Sequence, residues 1–367
     1  MKILHVNKYY TNTVGGVETV ARNVVEALAA AGIENEVLAC DLGPGRVEIH
    51  DGIRVRYAHA WRVVKSVPLS LSFYWHFFVR ARRADALFLH HPFPPGFLAY
   101  LLFAKRRPLY VWYHSDIVRQ RAIGFLIRPI TNAVLRRARK IFVSSRHVVS
   151  ESRVLREFEA TCVVVPFGID GSSYAPTAER LEQAAAIRER YGTPLVLAVG
   201  RLVHYKGLSY LIDAMRGTDA RLLIVGKGKL RESLDRQIAE AGLAGRVAII
   251  PHVPALAPYY LAADIVVFPS TIRSETFGLV QLEAMASGTP VINTDVHPGV
   301  AEVSLDGVTG YTVATEDSAA LGRAIRSLLA DDTLRERFGA NAAARARTAF
   351  DIGRFNEPLI REISVGK

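Results

Sequence analysis

The chain has 367 residues, of which 50% are hydrophobic and 22% charged, and its formal net charge is +11. This length predicts two domains, and the composition is that of a folded protein, which excludes extended disorder. The longest apolar candidate, Leu69 to Val79, is interrupted by Ser70, Ser72 and His76 and is shorter than the roughly 18 to 20 residues of a spanning helix. We therefore expect no membrane-spanning segment.

The positive charge belongs to the first half of the chain. Residues 1–180 contain 25 Lys or Arg and 14 Asp or Glu, whereas residues 181–367 contain 21 of each. A one-sided basic balance predicts an anionic partner such as a lipid headgroup or a phosphorylated acceptor, although a merely basic surface explains it as well. Because no nucleic-acid recognition module accompanies the charge, we expect no nucleic-acid partner.

The cysteines and the start of the chain predict a cytoplasmic protein. Cys40 and Cys162 have no further ligands at zinc spacing, so they are interpreted as small core residues and not as a metal site or a disulfide. The chain begins directly with a strand-like segment and without the charged and apolar regions of a signal peptide.

The first half alternates short apolar strands with helices. Ile3 to Val6, Gly15 with Gly16, the periodic stretch Val20 to Ala31 and the strand Glu36 to Ala39 form a predicted βαβ unit. Further strands are predicted at 86–89, 109–112, 140–143 and 162–165. The alternation predicts a parallel sheet with helices on its faces.

The same pattern restarts in the second half. We place the linker between Pro166 and Thr193, in a largely polar stretch. Strands are then predicted at 195–199, 221–225, 247–250, 265–268 and 290–292. The expected architecture is α/β, with two doubly wound domains that face each other across a cleft. Ligands of such sheets bind outside the carboxyl ends of the strands, so the chemistry is expected in that cleft.

The sharpest motif runs from Glu275 to Glu283 and follows the apolar strand at 265–268. Gly278 permits close approach of a ligand to the backbone, and the amides after it favour an anion such as phosphate if a helix begins there. The two carboxylates share a helix face if the helix starts early enough, and one can bind a sugar while the other binds a ribose. A solvated helix face is the alternative, but it leaves Gly278 unexplained.

Arg201 and Lys206 form a second motif, just past the strand at 195–199. A guanidinium fork and a compact ammonium can together neutralise a diphosphate leaving group, although alone they would be interpreted as surface charges. The sequence contains no Asp-x-Asp, the usual acidic anchor for a metal-bound nucleotide sugar. We therefore expect a metal-independent site.

Weaker signals lie in the first half. His114 and Asp116 follow the strand at 109–112, where either can contact the sugar or the acceptor or be satisfied locally. Gly15 and Gly16 do not complete the dinucleotide fingerprint, and they indicate either a tight turn or close backbone approach to a phosphate or sugar.

Basic and aromatic residues interleave at 61–65 and 73–83. This pattern predicts either a cationic surface in a membrane interface, with Arg80, Arg82 and Arg83 as its charges, or a core helix with charged ends.

In combination, these motifs resemble the retaining glycosyltransferases of the GT-B fold, family 4, over essentially the whole chain. The resemblance rests on Gly15-Gly16, Phe167 to Asp170, Val199 to Arg201 with Lys206-Gly207, and Glu275 to Glu283. It implies that residues 1–170 bind the acceptor, with a C-terminal helix at about 351–367 packing back on them, and that residues 171–350 bind the nucleotide sugar.

The resemblance also implies roles for single residues. Glu275 would contact donor-sugar hydroxyls, Glu283 the ribose, and Arg201 with Lys206 the diphosphate, while His114 would lie near the donor sugar. The segment Phe277, Gly278, Leu279 and Val280, together with Gly15 and Gly16, would approach sugar and phosphate. Retention of configuration would proceed by front-face substitution, with the leaving phosphate helping to deprotonate the acceptor.

Locally, Trp112 to Gln120 resembles bacterial O-antigen and exopolysaccharide transferases, which are often mannosyl or rhamnosyl enzymes. That likeness implies a GDP-sugar donor ahead of a UDP-sugar, no further cofactor, a lipid-linked or saccharide acceptor, and a peripheral position on the inner face of the plasma membrane. The alternatives are a sugar-nucleotide binding protein without turnover and a nucleotide-sugar epimerase or phosphorylase of the same fold.

Overall fold

The structure is a computed structural model, and it describes residues 1–10, 16–64, 67–116, 121–273 and 275–364. Its internal contacts divide the chain into two compact units, Met1–Phe167 with Gly353–Lys367, and Gly168–Ile352. The domain boundaries predicted from the sequence are 170 and 350, and the separate roles predicted for the two domains stay predictions.

The first unit is built on a parallel sheet. Its strands are β1 (Lys2–Val6), β2 (Glu34–Asp41), β3 (Arg46–His50), β4 (Ile53–His59), β5 (Arg62–Val64), β6 (Val67–Leu69), β7 (Ala86–His91), β8 (Leu109–Tyr113), β9 (Ala138–Val143) and β10 (Cys162–Val164). Over the described residues, eight of them form one sheet in the order β10-β9-β8-β7-β1-β2-β4-β3. The pairings are parallel except that β3 runs antiparallel to β4, and β5 and β6 form a separate antiparallel hairpin.

Helices cover this sheet, whose central strands are buried on both faces. Every residue of β7 and of β8 is buried, as is expected for strands enclosed by helices. The helices are α1 (Gly16–Ala30), α2 (Leu71–Ala81), α3 (Pro94–Phe103), α4 (Arg121–Leu135) and α5 (Arg146–Glu151), with a 3₁₀ segment at Leu155–Thr161.

The second unit is a parallel sheet of β11 (Leu195–Val199), β12 (Arg221–Val225), β13 (Val247–Ile250), β14 (Ile265–Phe268), β15 (Val291–Thr294) and β16 (Gly310–Val313). Its order over the described residues is β13-β12-β11-β14-β15-β16. This is the strand order of the dinucleotide-binding fold, in which the direction of winding reverses between β11 and β14. Such a reversal opens a crevice at the carboxyl ends of those two strands.

The helices of the second unit are α6 (Ala178–Tyr191), α7 (Leu208–Ala214), α8 (Arg231–Glu240), α9 (Ala257–Ala262), α10 (Leu279–Ala286), α11 (Pro298–Val303), α12 (Ser318–Leu329) and α13 (Asp332–Ala349). Short 3₁₀ turns lie at Gly171–Ser173, His204–Lys206 and Met215–Gly217. Helix α6 occupies half of the stretch that we predicted to be a linker, and the division between the two units, at Phe167 and Gly168, lies within that stretch. Thr177 caps the helix, and Arg188 donates to the carbonyl of Ala262 at 2.7 Å, which ties α6 to α9.

The chain returns to the first unit in α14 (Ile352–Ser364). Phe355, Leu359 and Ile363 are fully buried on one face of this helix. The ring of Phe355 lies 5.5 Å from that of Trp112 in β8. Lys140 Nζ at the neighbouring strand is 2.8 Å from Glu362 Oε2.

Helix α2 combines features of both interpretations of the basic aromatic stretch. It buries Phe73 and Phe77 in the core and exposes Leu71 and Trp75. Lys65 lies outside the described residues. Among the described residues, no helix has both the length and the apolar character that crossing a bilayer requires.

Candidate active site

The candidate site of the second unit lies where β11 and β14 end side by side. Arg201 and Lys206 follow β11, and Glu275 follows β14. The two strands are neighbours in the sheet through Val196 and Ile265. Because parallel strands present their carboxyl ends at one edge, two motifs about 70 positions apart in sequence converge on the crevice.

Lys206 and Glu275 form a partly buried ion pair at this edge. The ammonium of Lys206 donates to Glu275 Oε2, and the two side chains are only 13% and 18% exposed. Ser270 Oγ donates to the same carboxylate oxygen at 3.4 Å. The Lys206 ammonium also lies 4.8 Å from the ring centroid of Phe268. The site therefore holds a positive and a negative group that neutralise each other at low solvent exposure.

Gly207 lets the β11 loop approach the β14 loop this closely. Its φ is +63°, and a Cβ atom there would lie 1.9 Å from the carbonyl oxygen of Pro269. Any side chain would therefore push apart the two segments that carry Lys206 and Glu275.

Arg201 is separate from this ion pair. Its side chain is exposed, and its Nη2 donates to the hydroxyl of Tyr205 at 2.6 Å. Tyr205 holds the guanidinium at the surface of the site, and our sequence reasoning did not anticipate this tyrosine.

Helix α10 begins at Leu279, directly after Gly278, whose φ is +82°. The first amides of the helix, those of Leu279 and Val280, have no carbonyl partner within it and point toward its positive end. Glu275 therefore lies in the loop before the helix, whereas Glu283 lies inside it. The two carboxylates were expected to share a helix face only if the helix began before Glu275, and that condition is not met because α10 begins at Leu279.

Two tyrosines bind the second carboxylate. The Tyr260 hydroxyl donates to Glu283 Oε2 at 2.6 Å, and the Tyr174 hydroxyl is a further hydrogen-bond partner of the same carboxyl group. Burial raises the pKa of Glu283 to about 7, although these two hydrogen bonds oppose the shift. Tyr174 precedes α6 and Tyr260 lies in α9, so neither was visible from the motif itself.

Phe277, the residue before Gly278, is buried within the second unit. Its ring meets that of Phe350 edge to face, with centroids 5.6 Å apart. The side chain of Phe277 therefore anchors the loop, which leaves its backbone as the part that can approach a ligand.

In the first unit, His114 directly follows β8 and hydrogen-bonds to His90. His114 Nε2 and His90 Nδ1 are 3.2 Å apart, and the two rings are stacked. Burial lowers the pKa of His114 to about 3 and that of His90 well below its usual range. Both rings are thus neutral at pH 7. Asp116 accepts from Tyr113 at 2.5 Å and from Ser152 at 2.7 Å, so it is satisfied locally.

The same edge of the first sheet carries buried polar atoms that have no hydrogen-bond partner among the described residues. They are Asn7 Nδ2 after β1, His90 Nε2 in β7, and the hydroxyls of Ser144 and Ser145 after β9. Buried polar groups are nearly always paired, so this row fits a polar ligand. The described residues contain no group of three or more His, Cys, Asp or Glu placed to hold a metal ion.

Gly16 is the first residue of α1, and a Cβ atom built on it would meet nothing within 4 Å. Packing in the described protein thus does not require glycine at this position. Gly15 lies outside the described residues, as do residues 117–120 of the run that begins at Trp112.

Two α/β units, the second with the dinucleotide-fold strand order and a charged crevice, are the architecture of the GT-B fold. The sucrose-phosphate synthase of Thermosynechococcus elongatus shares this fold, with a TM-score of 0.84 over 100% of both chains at 24% sequence identity. The family model for glycosyl transferases group 1 matches residues 179–345, and that for glycosyltransferase family 4 matches residues 14–172.

Two curated relatives are similar over nearly the whole chain. The D-rhamnosyltransferase WbpZ of Pseudomonas aeruginosa is 36% identical over 360 aligned positions, and the match covers 95% of this chain and 92% of that protein. The O-antigen chain mannosyltransferase C of Escherichia coli is 31% identical over 357 aligned positions, and the match covers 95% of this chain and 94% of that protein. The chain belongs to the GT-B glycosyltransferases of family 4, and the predicted fold class and family are confirmed.

Proposed function

We propose that the protein transfers a hexose, of the mannose or rhamnose type, from a nucleotide-diphosphate sugar to a lipid-linked saccharide in bacterial O-antigen biosynthesis, with retention of configuration and without a metal ion. The two relatives named as a D-rhamnosyltransferase and an O-antigen chain mannosyltransferase support this substrate class. The observation that carries the proposal is the Lys206–Glu275 pair beside Arg201 at the strand reversal.

The donor diphosphate is the leaving group, and the proposal assigns its charge to Arg201, Lys206 and the start of α10. Two cations and a helix N-terminus can neutralise a diphosphate without a metal, and the absence of Asp-x-Asp from the sequence agrees with that assignment. When a donor binds, Lys206 exchanges Glu275 for phosphate oxygens. The released carboxylate of Glu275 then accepts hydrogen bonds from the sugar hydroxyls.

In the proposed complex, Glu283 binds the nucleoside part of the donor. A ribose diol is a pair of donors that suits a carboxylate, and Glu283 is held in position by Tyr260 and Tyr174. The base stays a prediction, with a GDP-sugar ahead of a UDP-sugar. On this proposal, no cofactor besides the donor is needed.

Retention follows from front-face substitution in the proposed mechanism. The bond from the anomeric carbon to the phosphate oxygen breaks, the acceptor oxygen bonds to the same face, and its proton passes to the departing phosphate. Glu275 serves this step by orienting the sugar through hydrogen bonds to its hydroxyls, and it is not assigned as a nucleophile. The row of unpaired polar atoms near His90 and His114 offers hydrogen bonds to the sugars in the first unit.

The assay is transfer of a radiolabelled sugar from GDP- and UDP-sugars to extracted bacterial lipid, with and without EDTA. Glu275→Gln should lower kcat by about 100-fold or more, because an interaction made to the transferring sugar is lost. The matched control is Glu240→Gln on the exposed end of α8, which should transfer normally. Wild-type turnover by Glu275→Gln, or loss of all transfer in EDTA, would refute the assigned chemistry.

We further propose that the basic first unit binds the anionic inner face of the plasma membrane. Arg82 and Arg83 are exposed at the end of α2, whereas Arg80 donates to Glu36 at 2.8 Å and belongs to an internal ion pair. The double change Arg82→Gln with Arg83→Gln should weaken binding to phosphatidylglycerol vesicles several-fold at 0.05 M salt and less at 0.5 M. Equal vesicle binding by the variant and the wild type would show that Arg82 and Arg83 are ordinary surface charges.

A further inference from the structure

The first unit contains an apolar cavity of about 210 Å³ beside the β5–β6 hairpin. Its walls include Cys40 at the end of β2, Trp61 and Leu69 of the hairpin region, and Phe73 and Tyr74 of α2. Ser70 also faces it, but the Ser70 hydroxyl already donates to the carbonyl of His59 at 2.6 Å and accepts from the amide of Phe73 at 3.0 Å. The lining of the cavity is therefore mainly apolar.

A site of this composition selects hydrocarbon. An apolar cavity of about 150 Å³ stays dry and takes up benzene, a molecule of six carbons, so 210 Å³ accommodates roughly eight carbons in proportion. Cys40 adds no charge to the wall, since burial raises the pKa of its thiol to about 12.

The mouth of the cavity is apolar as well. Trp61 and Leu71, which line it, are 54% and 74% exposed. Large exposed apolar side chains on a soluble surface are usually scattered singly, and a cluster of them marks a binding site. From Leu71 the apolar surface continues along α2 through Trp75 and Phe78, whose ring meets that of Phe103 in α3 at 5.5 Å.

Positive charge borders this apolar path. Arg62 is exposed next to Trp61 and pairs with Leu69 across the hairpin. The guanidinium of Arg82 lies 4.9 Å from the ring of Phe78. Between residues 54 and 107 the sequence has ten Lys or Arg and one acidic residue, Asp85, whose carboxylate accepts from the amide of Lys2. The complementary ligand has a hydrocarbon chain and an anionic head.

We propose that this cavity binds the hydrocarbon chain of the lipid-linked acceptor, a single isoprenoid or acyl chain that carries a phosphate. The inference rests on the proposed function, because it names the part of the acceptor that the first unit recognises. The cavity opens near the carboxyl ends of β2 and β4, the same edge of the first sheet that bears the unpaired polar atoms. A chain held there would bring its phosphorylated end to the edge predicted to bind sugars.

The first test is a chain-length series of n-alkyl phosphates from four to twelve carbons, titrated below their micelle concentrations, with inorganic phosphate as the head-group control. Each two added carbons should raise affinity roughly fifteenfold up to about eight carbons and have little effect beyond that. Geranyl diphosphate should bind with the long members. Equal affinity for all chains, or affinity that rises without a break to twelve carbons, would overturn the proposal.

Variants locate the site. Trp61→Ser and Leu71→Ser change exposed residues of the mouth and should remove most of the chain-length gain without affecting the fold. Cys40→Leu fills the interior and should do the same if it folds. Ile49→Ser is the matched control, since Ile49 is 62% exposed and pairs with Arg54 at the opposite end of β4. The assignment is contradicted if affinity still rises with chain length in Trp61→Ser and Leu71→Ser, or if this rise is lost equally in Ile49→Ser.

Transfer to a chain-free oligosaccharide acceptor separates this inference from the proposed function. If Trp61→Ser transfers normally to that acceptor but loses its preference for a lipid-linked one by tenfold or more in KM, both statements hold. If transfer occurs and alkyl phosphates bind without regard to chain length, the cavity proposal alone fails. If no sugar is transferred to either acceptor, the proposed function fails, while the titration still decides whether the cavity binds a chain.

Discussion

Replacing Glu283 with Gln should make the protein more stable at alkaline pH and should lower its affinity for the donor nucleotide. The native pKa of Glu283, about 7, lies above its unfolded reference of 4.5, so the native state binds the extra proton between these values. The protonated carboxyl contributes its full stability below pH 4.5, and the contribution is lost as pH rises through 7. The difference corresponds to about 3 kcal/mol at pH 8.

Glutamine keeps the shape of Glu283 and cannot ionise, so the variant should avoid this loss. Its melting temperature should exceed that of the wild type by roughly 6–12 °C at pH 8 and match it near pH 4.5. Affinity for the nucleotide should fall about 10- to 100-fold, because a charged acceptor for the ribose hydroxyls is gone. Calorimetry across pH gives the first quantity and titration with GDP or UDP the second. Parallel pH profiles for Glu283→Gln and wild type would refute the reasoning, and the exposed Glu240→Gln should show that parallel behaviour.

Two further predictions concern the backbone and the histidines. Gly278→Ala should destabilise the protein by about 1–3 kcal/mol in urea unfolding, because φ is +82° and the new Cβ atom would lie 2.7 Å from the Phe268 ring. The control is Gly242→Ala, where φ is +69° and the space around a Cβ atom is open, so that only the smaller backbone effect should appear. Equal losses of stability in the two variants would contradict this account. Burial lowers the pKa of His91 and of His114 to about 3, so their stabilisation is complete above pH 6.5 and is lost as pH falls, by about 2 kcal/mol per histidine at pH 5. The emission of buried Trp112 should report unfolding between pH 6 and 4, and a flat signal to pH 4 would contradict it.

The parallel strands were predictable because they are short apolar runs. Those predicted for the second unit at 195–199, 221–225, 247–250 and 265–268 coincide with β11, β12, β13 and β14. The strands β3, β4 and β16 and the β5–β6 hairpin were missed, because none of them contains a continuous run of four apolar residues. Helix α6 was missed for a related reason, since only Ala184 is buried in it and its polar sequence hides its periodicity.

At the site, local motifs predicted which residue types matter but not how they pair. Glu275 and Lys206 were both singled out, yet their mutual ion pair depends on β11 and β14 being neighbours, which only the strand order reveals. Tyr174 and Tyr260 reach Glu283 from segments that carry no motif of their own. The apolar cavity is likewise assembled from β2, the hairpin and α2, whose proximity is a tertiary property.

The return of the chain in α14 has a consequence for biosynthesis. Residues 168–352 form a unit that is contiguous in sequence, whereas the first unit needs residues from both sides of it. On the ribosome the second unit can complete its core before α14 is made. Trp112 in β8, by contrast, is not covered until Phe355 of α14 has been synthesised. The segment synthesised first is thus the last to finish folding. Fusion or truncation near residue 353 should therefore lower the yield of the unit at the opposite end of the gene.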